Sequence, residues 1–303
     1  MADLSVKVAG VEFKNPVIAA SGCFGYGHEY EELFDLSKLG GISVKGTTLT
    51  RRDGNIPPRI AETPSGMLNS VGLQNPGIDY FIEKELPYLL KKDTVIIANI
   101  AGSSIEEYIE VAEKLNDTSV HMIEMNISCP NVKKGGAGFG TSCDMAASVT
   151  KAVRKATNKP LCVKLTPNVT SIAEIAKAVE AEGADAVSLI NTLLGMRIDT
   201  RTRRPILHNN VGGLSGPAVL PVAVRMVWEV RNAVDIDIIG MGGISKGNDA
   251  AEIMLAGADA VQVGAALFND PFACVRIVDE LEKWCEVNKV DKLSDISGGV
   301  VTW

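Results

Sequence analysis

Eight short runs rich in Ile, Val and Ala recur along the chain, at residues 17–20, 41–45, 95–100, 123–127, 161–165, 186–191, 236–240 and 260–263. They lack the polar alternation of a strand with one face in water, and so read as strands buried on both faces. Between them lie segments with helical apolar spacing, including residues 30–36, 105–115, 144–156, 171–181, 218–230 and 246–255. Eight strands alternating with helices predict an α/β fold, a closed (β/α)8 TIM barrel rather than an open doubly wound sheet. The chain has 303 residues, 46% of them hydrophobic. That is enough to bury one barrel core, and no low-complexity linker divides it, so residues 1–303 are expected to form a single domain.

Two segments stand outside the repeat. Residues 4–13 read as an N-terminal β-hairpin turning at Ala9-Gly10, placed to cap the bottom of the barrel. Residues 51–75 follow the second strand and are rich in Gly and Pro, a long βα-loop on the face where barrels carry their sites. Loops of that length are usually functional or disordered. Met67, Leu68, Asn69, Val71, Leu73 and Gln74 favour function here.

The formal net charge of −7 argues against a nucleic-acid surface, which needs a concentrated basic face. The densest basic stretch, residues 197–204, holds four arginines and also Asp199, and reads as a solvated loop. No apolar run approaches the roughly 18 residues of a membrane span, and the start carries no apolar signal segment, so the expected location is the cytoplasm. Six cysteines, at 23, 129, 143, 162, 274 and 285, include no Cys-x-x-Cys pair, so no metal site is expected. Four of them sit in helical or mid-strand patterns and read as core. His28, His121 and His208 share no metal or triad spacing and read as structural.

Active sites of such barrels form at the C-terminal ends of the strands. Read in order, those ends are Ser21-Gly22, Lys45, Asn99, Asn126 followed by Cys129, Lys164, Asn191-Thr192, Gly242-Gly243 and Gly264-Ala265. So many polar groups at one mouth need polar partners, and a polar ligand supplies them. The glycines after strands seven and eight fit a phosphate site beside helix N-termini, although a tight turn alone would explain Gly242-Gly243. No dinucleotide fingerprint or Walker loop is present, which favours a mononucleotide with one phosphate. Two lysines suit the pyrimidine edge of a flavin, whose reduced ring is anionic, and so point to FMN. The competing reading of Lys45 and Lys164 is a buried ion pair, but their own strand segments offer no evident acid.

Asn126-Ile-Ser-Cys-Pro-Asn131 leaves a buried strand and opens the glycine-rich stretch 132–140. A thiol there can act as a base under a mobile lid that excludes water. Cys23 also follows a strand end but has no such lid, and packing is its expected role.

These residues, with Gly66-Met-Leu-Asn-Ser-Val-Gly-Leu-Gln-Asn-Pro-Gly77, Asn15-Pro-Val-Ile-Ala-Ala-Ser-Gly22, Asn191-Thr192, Gly212-Gly-Leu-Ser-Gly-Pro-Ala218 and Gly242-Gly-Ile244, resemble the class 1 dihydroorotate dehydrogenases over nearly the whole chain. The 132–140 loop is similar to the 1B subtype. The resemblance implies oxidation of dihydroorotate to orotate in pyrimidine biosynthesis, with Cys129 as base and hydride passing to FMN. It implies an NAD-linked partner subunit carrying FAD and a [2Fe–2S] cluster, around a homodimer core in a heterotetramer. Carried over by position, Ser21, Lys45, Gly46, Asn99, Asn126, Lys164, Ile190, Gly216, Gly242, Gly243, Gly264 and Ala265 would contact FMN. Ala265 stands where the family often has threonine, which removes a hydroxyl contact but not the backbone donor. Lys45, Asn69, Ser70, Val71, Gly72, Leu73, Asn126, Asn191 and Thr192 would hold substrate. The alternatives are the fumarate-linked class 1A enzyme, a related FMN pyrimidine reductase, and a non-catalytic flavoprotein relay.

Overall fold

The computed structural model describes residues 2–128 and 136–303. Eight parallel strands close into a barrel: β1 (Val17–Ala19), β2 (Gly41–Ser43), β3 (Val95–Ile100), β4 (Met122–Asn126), β5 (Leu161–Lys164), β6 (Ala186–Leu189), β7 (Asp237–Met241) and β8 (Ala260–Val263). Each pairs with its neighbours in sequence, and β8 pairs with β1 to close the ring. The eight runs foreseen from the sequence are these strands, to within a few residues at each end.

The strands are buried on both faces because helices sheathe the outside. The helices after β3, β4 and β5 span Ile105–Asn116, Cys143–Ala156 and Ile172–Ala181. Ser104, Ser142 and Ser171 cap them, each hydroxyl accepting from a backbone N–H three residues on. Such a cap contributes about 1 kcal/mol by satisfying an otherwise orphaned donor. Leu220–Arg231, Gly247–Leu255 and Ala273–Asn288 follow β6, β7 and β8. The expected helix over 30–36 is instead a short helix, His28–Glu31, and a 3-10 turn, Leu36–Lys38. Asp35 accepts from the Ser37 amide at 2.9 Å, the local bond that favours a new cap over continued helix.

The N-terminal hairpin pairs Val6–Val8 with Val11–Phe13 across Ala9-Gly10, both with positive φ. The Ala9 amide donates to Asp237 at 2.7 Å, and Asp237 is the first residue of β7. The hairpin thus plugs the N-terminal end of the barrel, as foreseen, and buries Val6, Val8 and Phe13.

At the opposite end the structure departs from expectation. Residues 51–75 are not all loop: Ile60–Thr63 and Gly66–Asn69 form a hairpin. It joins Gly212–Ser215 and Leu193–Gly195 in a four-stranded antiparallel sheet on the rim. Its strands are three or four residues long and come from separate stretches of the sequence, so no local periodicity announces them. Arg197, Arg201, Arg203 and Arg204 are exposed, in line with a solvated stretch. No helix among the described residues is long and apolar enough to cross a membrane.

Candidate active site

Side chains two apart on a strand share a face, so the inward set of β4 is Met122, Glu124 and Asn126. Glu124 is fully buried at the barrel axis. Its Oε2 accepts from Ser43 Oγ at 2.8 Å and Asn99 Nδ2 at 2.6 Å. Its Oε1 accepts from Ser188 Oγ at 2.8 Å and Gln262 Nε2 at 2.7 Å. Lys164 Nζ lies 3.8 Å from Oε2. Five strands therefore converge on one carboxylate. Burying the ion costs several kcal/mol, whereas four hydrogen bonds to a charged acceptor contribute about 1.5–3 kcal/mol each. The bonds win. Burial pushes the Glu124 carboxyl up, but Lys164 and the bonds from Ser43, Ser188 and Asn99 bring it below its ordinary value.

This corrects the reading of Lys164. An acid does face it, from the next strand rather than its own. The signal was present: Glu124 is a charged residue inside the apolar run Met122-Ile-Glu-Met, where an alternating surface strand was already excluded. Ser43, Ser188 and Gln262 were missed for the same reason, as isolated polar residues in buried strands.

One layer nearer the mouth lie Asn126 and Lys164, paired across β4 and β5. Asn126 Oδ1 accepts from Ser128 N at 3.1 Å and Ser128 Oγ at 2.8 Å. Asn191 Nδ2 donates to Ser128 Oγ at 2.7 Å, and Asn191 Oδ1 accepts from Thr192 N at 2.8 Å. Ser128 thus clamps two of the expected substrate residues together, one position before Cys129. Cys129 itself, and residues 130–135 of the expected lid, lie outside the described residues; Gly136–Gly140 is a short helix. Asn168, unforeseen, donates to the Thr192 carbonyl at 3.0 Å.

The rim sheet brings up the remaining substrate candidates. Asn69 pairs with Gly213, and a Cβ at Gly213 would lie 1.9 Å from Thr192 Oγ1, so this sheet packs directly on Thr192. Asn55 Nδ2 donates to the Ser70 carbonyl at 2.9 Å and its amide to the Val71 carbonyl at 3.0 Å. Gly72 and Leu73 both take positive φ, and Asn75 Nδ2 holds the Leu73 carbonyl at 2.7 Å. The Leu73 side chain comes within 3.4 Å of a Cβ built on Gly46, which would itself be 2.8 Å from Asn99 Oδ1. Loop 69–73 and the β2 and β3 ends therefore meet. Ser70 Oγ and Asn99 Oδ1 are buried with no hydrogen-bond partner among the described residues. Each is an acceptor, and Ser70 also a donor, of the kind a polar ligand satisfies.

The glycines gather at the β7–β8 side. Gly243 has φ +79°, and a Cβ there would sit 2.6 Å from the backbone N of Leu220, the first residue of Leu220–Arg231. The backbone of Gly243 is thus laid against a helix N-terminus. Gly216 precedes the 3-10 turn Pro217–Val219, and Gly264 the turn Ala265–Phe268. Ile190 contacts Gly242, where a Cβ would lie 3.1 Å from Ile190 Cγ1. Ser21 is half-buried in the turn after β1.

Cys23 Sγ is 3.3 Å from the Cβ position of Gly264, so this thiol lines the site. Burial pushes it up to about 11 against the opposing pull of Lys164 and Lys45. A neutral thiol at physiological pH is a poor base, in agreement with a packing role. Cys162, Cys274 and Cys285 are buried as expected. Cys143 is not: it is exposed, because it occupies the first turn of a surface helix rather than its inner face. His28 bonds Glu85 at 2.7 Å and stacks on Tyr88, and His121 accepts from the Ile96 amide at 3.0 Å. Among the described residues no cluster of His, Cys, Asp and Glu could hold a metal ion.

A family profile described as Dihydroorotate dehydrogenase matches residues 3–285. A protein of Geobacillus sp. (strain WCH70), named Dihydroorotate dehydrogenase B (NAD(+)), catalytic subunit, is 54% identical over 97% of this chain and 95% of its own length. Proteins of the same name from Alkaliphilus metalliredigens and Bacteroides thetaiotaomicron are 56% and 53% identical, each over at least 98% of both chains. The solved structure of DHODH in complex with ferulenol from Eimeria tenella shares the fold, with a TM-score of 0.83 at 22% identity, covering 98% of this chain and 88% of that one. The chain belongs to the dihydroorotate dehydrogenase family.

Proposed function

We propose that this chain is the FMN-holding catalytic subunit of an NAD-linked dihydroorotate dehydrogenase, oxidising dihydroorotate to orotate in the cytoplasmic synthesis of pyrimidines. The observation that carries this reading is the stacking of two layers at one barrel mouth. Glu124 forms the lower layer and backs Lys164, which stands level with Asn126 in the upper one, where Ser128 clamps Asn126 to Asn191 immediately before Cys129.

The residues fit FMN. Asn99 Oδ1 needs an N–H donor, which the flavin pyrimidine ring carries, and Lys164 brings positive charge one layer nearer the mouth. Gly216, Gly243, Gly264 and Ala265, beside helical N-termini, suit the single phosphate, and Ser21, Lys45, Gly46, Asn126, Ile190 and Gly242 complete the bed. When bound, FMN supplies the acceptor for hydride from C6 of the substrate.

The chain supplies the rest. Cys129 takes the proton from C5. Asn69, Asn126 and Asn191 each carry both a donor and an acceptor, which matches a ring of alternating C=O and N–H groups. Ser70, Val71, Gly72, Leu73 and Thr192 shape the remaining wall, and Lys45 sits where cofactor and substrate sites meet. A site built to satisfy these groups discriminates strongly against analogues that lack them. The whole barrel acts as one FMN domain, and the names of its relatives, with "NAD(+)" and "catalytic subunit", support a separate partner. We assign that partner FAD and a [2Fe–2S] cluster, docked on a homodimer of this chain.

The test is turnover of the co-purified complex with dihydroorotate and either NAD⁺ or fumarate. Reduction of NAD⁺ only in the presence of a flavin and iron–sulfur partner is expected. Efficient fumarate reduction by the isolated chain would overturn the subtype.

A further inference from the structure

Glu124 has room for about four hydrogen bonds, two at each oxygen, and four neutral donors fill them: Ser43, Asn99, Ser188 and Gln262. Lys164 stands outside that set, at 3.8 Å, beyond hydrogen-bond range but well within Coulomb range. A carboxylate bonded directly to the ammonium would consume one of its three donors. Here the neutral groups satisfy the carboxylate, and its charge is left to act on Lys164 without taking a proton from it. The carboxylate also orients Asn99. Because it only accepts, Asn99 must turn Nδ2 towards it, which leaves Oδ1 as the face presented to a ligand.

From this geometry we infer that Glu124 is a positioning residue: it serves as the counter-charge that keeps Lys164 a cation with its donors available to the flavin. The inference rests on the FMN reading above. The lysine is almost wholly buried, at 6% side-chain exposure, and a buried ammonium without a counter-charge gives up its proton. Among the described residues, the other ionisable groups near this pair include two thiols, Cys162 and Cys23. Burial raises Cys162 well above its ordinary value and Cys23 to about 11, and Lys45 joins Lys164 in pulling against the rise at Cys23.

Three proteins test it: wild type, Glu124→Gln, and the double variant Glu124→Gln/Lys164→Met. Each is stripped of FMN and retitrated by flavin fluorescence from pH 6.5 to 9.5. Wild-type and double-variant affinities should follow parallel pH profiles, the double variant weaker throughout. Glu124→Gln alone should show an added titration that weakens FMN binding by about tenfold from acid to alkaline pH, one charge-assisted hydrogen bond's worth. If Glu124→Gln yields no folded protein but the double variant does, the unpaired lysine is the cause, and the inference stands. Should Glu124→Gln parallel wild type, or should neither variant fold, Glu124 is only a structural hub and the inference is overturned. Failure of wild type itself to bind FMN would instead refute the flavin reading.

Discussion

Alanine at position 243 tests the phosphate end of the site quantitatively. Its Cβ would stand 2.6 Å from Leu220 N and 2.8 Å from both Leu220 Cα and Cβ, so the obstacle is the start of a helix, not a flexible side-chain tip. The φ of +79° adds left-handed strain of about 1–2 kcal/mol. Helix and turn must separate, which displaces the amides proposed to hold the FMN phosphate. Losing one or two charge-assisted bonds at about 1.5–3 kcal/mol each weakens FMN binding by roughly 10²-fold. Gly183→Ala is the control. Its φ is +91°, but its Cβ would meet only Arg154 Cγ and Cδ, at 3.1 and 3.2 Å, on a movable side chain away from the mouth. Both variants should melt a few degrees lower, by about 2–4 °C per kcal/mol. Only Gly243→Ala should lose flavin in a fluorescence titration of the apoprotein. If its affinity stayed within about twofold of wild type, the phosphate would not lie there.

Further expectations follow from single residues. Cys129→Ser should retain FMN yet reduce it with dihydroorotate about 10²–10⁴-fold more slowly, measured by anaerobic stopped flow, because a weaker base replaces the thiol. Ser70→Ala removes a buried hydroxyl without a described partner, so thermal stability should hold or rise slightly while KM for dihydroorotate increases. Cys23 should resist alkylation at pH 8 and react only as the pH nears about 11, since its thiol is held neutral below that point; rapid labelling at pH 8 would contradict a neutral thiol. Phe13→Ala should cost about 3–5 kcal/mol by urea denaturation with no change in FMN affinity, because the hairpin plugs the end opposite the mouth.

The barrel was legible because double-sided burial writes itself into sequence as unbroken apolar runs, and the strand ends then located the mouth. What escaped was non-local. The rim sheet pairs residues 60–69 with 193–195 and 212–215, and its strands are too short for periodicity to show. Glu124 was visible as an anomaly in β4, but its meaning required knowing that Ser43, Asn99, Ser188 and Gln262 arrive from four other strands. Lys164 ends a buried strand whose own segment holds no acid, and only strand register puts Glu124 beside it. Cys143 was misjudged because the first turn of a helix does not obey the apolar stripe that buries the later turns.

The central claim is that dihydroorotate delivers hydride at this barrel mouth. Mixing FMN-loaded chain with dihydroorotate under anaerobic conditions and following the flavin absorbance tests it in a single turnover. Stoichiometric bleaching of the yellow oxidised flavin, with orotate formed in equal amount, is the expected result. A fully loaded protein whose spectrum stays unchanged with saturating dihydroorotate would contradict it.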